Sequence, residues 1–90
     1  MKVDTHKLYS TVEHYHIGNG EYELNVIQCA NGLWFVENNW NDSAFTHIAE
    51  ISHPSITPYQ EPQMFSTENE ACDLAVKALR TVLPDFKYDV

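Results

Sequence analysis

Between Leu8 and Val76 the chain has neither lysine nor arginine, a run of 69 residues in a protein of 90. The same run holds ten carboxylates: Glu13, Glu21, Glu23, Glu37, Asp42, Glu50, Glu61, Glu68, Glu70 and Asp73. The five cations, Lys2, Lys7, Lys77, Arg80 and Lys87, all lie outside it, and the formal net charge is −8. A surface built from such a run has a negative potential with little compensation. It repels nucleic acid and anionic membrane and attracts basic partners.

Other absences narrow the class further. No apolar stretch approaches the roughly 18 residues of a spanning helix. No apolar run follows the first lysine, so no signal peptide is read and a cytoplasmic location is expected. The two cysteines, Cys29 and Cys72, have no C-x-x-C spacing and are expected to be reduced and buried. Asn41-Asp42-Ser43 matches a glycosylation acceptor in form but reads as a turn. No G-x-S-x-G, phosphate-cradling glycine loop or H-E-x-x-H occurs, so neither an enzyme nor a bound cofactor is expected. There is no internal repeat or low-complexity tract. With 43% apolar residues and eleven aromatics, residues 1–90 are expected to form one folded domain.

The C-terminal third carries the clearest structural signal. Thr67-Glu68-Asn69-Glu70 reads as a capping box. Glu68, Glu70 and Asp73 suit the start of a helix dipole, and Lys77 and Arg80 suit its end. Ala71, Leu74, Ala75, Ala78, Leu79 and Val82 recur at helical spacing, and Pro84 stops the run. A helix over 68–83 is expected, with alanines that allow close approach to a sheet.

Two apolar-rich runs, Glu21–Cys29 and Leu33–Trp40, flank Ala30-Asn31-Gly32 and read as a hairpin. A two-residue Asn-Gly turn pairs Val26 with Glu37 and mixes apolar with polar residues. A three-residue loop with Gly32 left-handed pairs Val26 with Val36 and Gln28 with Trp34. The second register is preferred because it gathers Tyr22, Leu24, Val26, Trp34, Val36 and Trp40 on one face. The opposite face, with Ile27, Cys29, Leu33 and Phe35, is more apolar than a solvent face needs. It is either a partner surface or covered by the N-terminal segment.

Ala44–Ser52 reads as a third strand, with Phe45, His47, Ala49 and Ile51 alternating. His53 to Gln63 contains Pro54, Pro58 and Pro62 and reads as a loop or irregular edge. The first twenty residues admit two readings. Asp4 caps a helix carrying Leu8, Val12 and Tyr15, or the stretch alternates as a strand; the helix is favoured. The expected fold class is α+β: a three-stranded antiparallel sheet packed by a C-terminal helix, with a short helix before it.

That order of elements resembles the double-stranded-RNA-binding domain, whose last helix starts with lysines that hold phosphates. Here Ser66-Thr67-Glu68-Asn69-Glu70-Ala71 stands in that place, and its acidity removes the basis for phosphate binding. The layout is also similar to the antitoxin of the HicA/HicB pair, whose helix start of the T-x-E-E-A type is matched by Thr67, Glu70 and Ala71. The proline–glycine pattern of that family is absent.

The functional expectation is a small acidic protein-binding module. Its target is a basic protein or nucleoprotein complex, blocked by charge complementarity. Phage anti-defence proteins such as anti-CRISPRs, immunity proteins and antitoxins resemble this chain in size and acidity. The expected contacts are the acids Glu21, Glu23, Glu37 and Asp42, with Trp34 and Trp40 as aromatic anchors. A second expectation is self-association, as a homodimer through Ile27, Leu33 and Phe35. A third places a metal or small ligand on the histidines. His14 and His16 point the same way if they lie on a strand, but no ligand cluster has zinc spacing, so no metal site is expected.

Overall fold

The computed structural model describes residues 3–38 and 43–87. The chain begins with one helical turn, α1 (Thr5–Leu8), and continues into β1 (Thr11–Gly18). β2 (Glu23–Cys29), β3 (Trp34–Glu37) and the helix α2 (Glu68–Leu79) follow. The three strands form an antiparallel sheet in the order β1-β2-β3. The layout is therefore α+β, with a short helix at the N-terminal side and a longer one after the sheet.

The hairpin adopts the three-residue-loop register. Val26 lies opposite Val36 and Gln28 opposite Trp34. Gly32 has φ +87°, and Asn31 Oδ1 accepts from the Leu33 N–H at 3.0 Å to shape the loop. One face then presents Leu24, Val26, Trp34 and Val36 to α2, where Ala71, Ala75, Ala78 and Leu79 are buried. The small alanines let the helix settle close on the sheet. Thr67 caps α2 by accepting from the Glu70 N–H at 3.3 Å, and the Glu70 carboxylate accepts from the Thr67 and Ser66 hydroxyls. The regular helix ends at Leu79, but the Leu83 N–H still reaches Leu79 O at 2.8 Å before Pro84.

The other face is closed as well. Ile27, Cys29 and Phe35 are buried there beneath Tyr9 and Met64. The Tyr9 ring sits 5.0 Å from that of Phe35. A fully buried Ile or Phe stabilises a fold by about 1.5–3 kcal/mol, which favours closing both faces in so short a chain. The expected dimer face of Ile27, Leu33 and Phe35 is thus corrected. Ile27 and Phe35 are 0% exposed, and what covers them is the chain's own Tyr9 and Met64.

The third strand also differs from expectation. Ala44–Ser52 is a series of turns, and only Ser52 bridges to Glu37. Its backbone groups are taken locally: the Ile48 N–H bonds Phe45 O at 3.0 Å, and the Thr46 hydroxyl bonds Ser43 O at 3.1 Å. Phe45 and Ile51 are buried in the core, while His47 and Ala49, which share their alternation, are exposed. The pattern was two anchors, not a strand. The sheet takes β1 instead. Asp4 does cap a helix, accepting from the Lys7 N–H at 3.3 Å, but that helix lasts one turn. After Ser10, at φ +52°, the chain is extended, and Tyr15 and Ile17 face α2 opposite Val26 and Leu24.

The turn that joins β1 to β2 depends on Gly18. Its φ is +155°, and a Cβ there would stand 2.0 Å from the Tyr22 carbonyl oxygen. Gly18→Ala is expected to cost about 2 kcal/mol or more, measured by urea unfolding. An unchanged midpoint would show that the turn tolerates a side chain.

Candidate partner-binding surface

The carboxylates of the cation-free run divide by burial. Glu13, Glu21, Glu50, Glu61, Glu68, Glu70 and Asp73 are exposed, Glu23 is half-buried and Glu37 is buried. Glu21 is presented by a turn in which Asn19 Oδ1 accepts from the Glu21 and Tyr22 N–H groups, both at 3.0 Å. Glu23 opens β2, opposite Gly18. These two expected contact residues lie together at one end of the sheet. Asp42 and Trp40 lie outside the described residues.

Trp34 and Glu37 do not face solvent. The Trp34 ring is 8% exposed in the main core, and its backbone exchanges two hydrogen bonds of 2.8 Å with Phe65. Glu37 is 2% exposed on the opposite face. Its Oε1 accepts from the Thr5 and Ser52 hydroxyls. Ser52 lies 2.9 Å from the Tyr59 hydroxyl, which lies 3.0 Å from that of Tyr9. The Ser52 hydroxyl has one proton and donates it to Glu37, so the order of donation is Tyr9 to Tyr59 to Ser52 to Glu37. Burial, and then the Tyr59 hydroxyl, hold the Tyr9 phenol above its ordinary range, as such a donor requires. This carboxylate ties α1, β3 and the proline loop together inside the fold. Neither residue is placed where a partner could touch it.

The chemistry-bearing side chains are dispersed. His14 and His16 are exposed on β1, with ring centroids 6.3 Å apart, and His6 of α1 lies 5.5 Å from His14. Among the described residues no group of three or more His, Cys, Asp or Glu side chains is arranged to hold a metal ion. His47 and His53 line a cavity of about 200 Å³ formed by the turns and the proline loop. There His53 Nε2 lies 2.8 Å from Ile48 O and so carries the proton, which leaves Nδ1 to accept from the Asn38 amide at 3.4 Å. Cys29 belongs to the cluster under Tyr9, apart from that cavity, and burial pushes its thiol up. Cys72 lies on α2 with Sγ 2.8 Å from the Tyr15 hydroxyl, and burial raises it too. Both thiols are biased away from the reactive thiolate.

What the residue pattern alone did not single out is the edge of the sheet. β3 has its outer side occupied: Phe65 pairs with Trp34, and Ser52 bonds Val36 O and the Asn38 N–H, each at 2.8 Å. β1, twice as long at eight residues, is the opposite edge, and among the described residues no strand lies outside it. It contains no lysine, arginine or proline. The available signal was the β-branched and aromatic content of Thr11, Val12, Tyr15 and Ile17, which suits a strand better than a helix.

No protein-family model, curated protein or solved structure matches the chain. Among the described residues, no helix is long and apolar enough to cross a membrane.

Two outcomes are expected here. Glu37→Lys, which buries an uncompensated charge, lowers stability by about 3 kcal/mol or more, whereas Glu21→Lys changes it by under about 0.5 kcal/mol; paired thermal melts decide. A maleimide at neutral pH labels both cysteines slowly in the native protein and rapidly in urea. Rapid native labelling of Cys72 would show that its thiol is open to reagents.

Proposed function

We propose that the protein is a small acidic module that binds a basic protein or nucleoprotein complex and inhibits it by occupying the surface that would hold nucleic acid. The observation that carries this reading is the exposure of seven carboxylates from a run that contains no lysine or arginine. They are distributed over a body of 34 × 27 × 19 Å. At physiological salt, charges interact over about 8 Å, so such a surface acts by apposition to a positive groove. A nucleic-acid ligand is disfavoured by the same field. The start of α2, where backbone N–H groups favour an anion, already carries Glu68 and Glu70. Anti-CRISPR-like, antitoxin-like and immunity-like inhibitors are the functional class with this profile.

Glu21 and Glu23 are the acids expected to matter among those placed together at the β1–β2 turn. The test is affinity capture from lysate of the native or host cell at low and high salt, with mass spectrometry of what is retained. A basic protein or complex held at low salt and shed at high salt is expected. Reversal of Glu21 and Glu23 to lysine is expected to weaken its capture. Retention that ignores both salt and the reversal would overturn the reading.

A further inference from the structure

We propose that His6 and His14 form a two-histidine site for a borderline divalent metal ion such as zinc, joining α1 to β1. The site goes beyond the protein-binding reading above and does not depend on it. His14 lies opposite Ile27 and so projects from the face of the sheet that Thr5 and Tyr9 cover. His6 comes from α1 and brings its ring centroid to 5.5 Å from that of His14. Both side chains are exposed, so a hydrated ion can reach them. Zinc binds imidazole nitrogen at about 2.0–2.1 Å, which puts each ring centre about 3.2 Å from the ion. A tetrahedral angle then sets two ring centres about 5.2 Å apart, and a straight line sets them about 6.4 Å apart. The separation of His6 from His14 fits the tetrahedral case. His14 and His16, at 6.3 Å, would need an almost straight angle at the metal and do not make the pair.

A second observation orients one of the ligands. His6 Nδ1 lies 2.7 Å from the Thr11 hydroxyl oxygen. When Nδ1 donates to that oxygen, Nε2 keeps its lone pair for a metal, the arrangement in which ligand histidines are commonly held. His53, by contrast, has both ring nitrogens engaged, at Ile48 O and the Asn38 amide. Among the described residues no third His, Cys, Asp or Glu completes the set, so water fills the remaining positions. Two imidazoles suit zinc, nickel or copper(II); magnesium and calcium take oxygen ligands instead. Lys7 follows His6, but consecutive residues of a helix do not face each other. The net charge of −8 draws divalent cations to the molecule. The bound ion adds a third tie between α1 and the sheet, beside the Thr5 bond to Glu37 and the Tyr9 ring against Phe35.

The test titrates the whole protein, without a histidine tag, with zinc chloride and separately with magnesium chloride. NMR of the imidazole rings and backbone amides follows binding. With zinc, the ring signals of His6 and His14 and the amides of residues 5–8 and 13–15 shift together and saturate at one ion per chain. Magnesium at the same concentration has no effect. His6→Ala and His14→Ala each weaken binding at least about tenfold, because one ring alone loses the gain from chelation. Thr11→Val keeps both rings and weakens binding by about tenfold, whereas His47→Ala leaves it unchanged. Native amide spectra show that the variants fold. Saturation that ignores both alanine variants, or shifts centred on His47, His53 or the cysteines, would sink the inference. So would dimerisation driven by zinc and seen as slowed diffusion, in which single histidines of two copies share the ion. An affinity no better than that of one free imidazole would mean adventitious ligation only, and it too would refute the site.

Discussion

The pairing of Val26 with Val36 decides most of what this chain becomes. Once that register is set, Leu24, Val26, Trp34 and Val36 share one face and Asn25, Ile27, Phe35 and Glu37 share the other. Each face then needs its own cover. The alanine stripe of α2 serves the first. The second cannot be covered by a helix of that kind, because it carries a carboxylate and an amide beside the apolar side chains. It is covered by Tyr9 and Met64 over Ile27 and Phe35, with Thr5, Ser52 and Tyr59 joined around Glu37. A one-residue slip would exchange the two sets and leave each cover against the wrong chemistry.

Elements whose signals are local were legible. The capping box at Thr67, the alanine stripe and Pro84 all act within a few residues, and α2 starts where they put it. The hairpin was legible because its loop chemistry and face segregation agree. The third strand was not. Phe45 and Ile51 alternate with His47 and Ala49, and an alternating pattern looks the same whether it belongs to a strand or to two anchors on successive turns. In Thr11–Gly18 the competing helical spacing of Leu8, Val12 and Tyr15 obscured the strand. Leu8 and Val12 are in fact exposed, so neither belongs to a buried stripe. Strand choice here is a tertiary outcome: β2 needs a partner on its free side, and β1 supplies one that brings Tyr15 and Ile17 to the core.

Charge counting was reliable as a description of the surface and unreliable residue by residue. Glu37 shows why. The preferred register already put it on the apolar second face, but a glutamate at the end of a strand looks like a solvated residue until something covers it. What covers it is distant in sequence: Thr5 is 32 residues away and Ser52 is 15. Trp34 misleads in the opposite sense. A tryptophan in an acidic chain looks like an interface anchor, yet its position opposite Gln28 turns the ring towards α2, where the space between sheet and helix accommodates it.

The two edges of the sheet differ in what lies beside them. A short chain has few residues available for guarding its edges. This one commits Ser52 and Phe65 to the outer side of β3, a strand of four residues, whereas among the described residues no strand lies outside the eight of β1. An open edge is an aggregation hazard because backbone pairing is indiscriminate. A net charge of −8 on each copy works against such pairing between two molecules of this chain. Like-charge repulsion between whole molecules thus acts in the place of the lysine that commonly guards an edge strand, of which β1 has none.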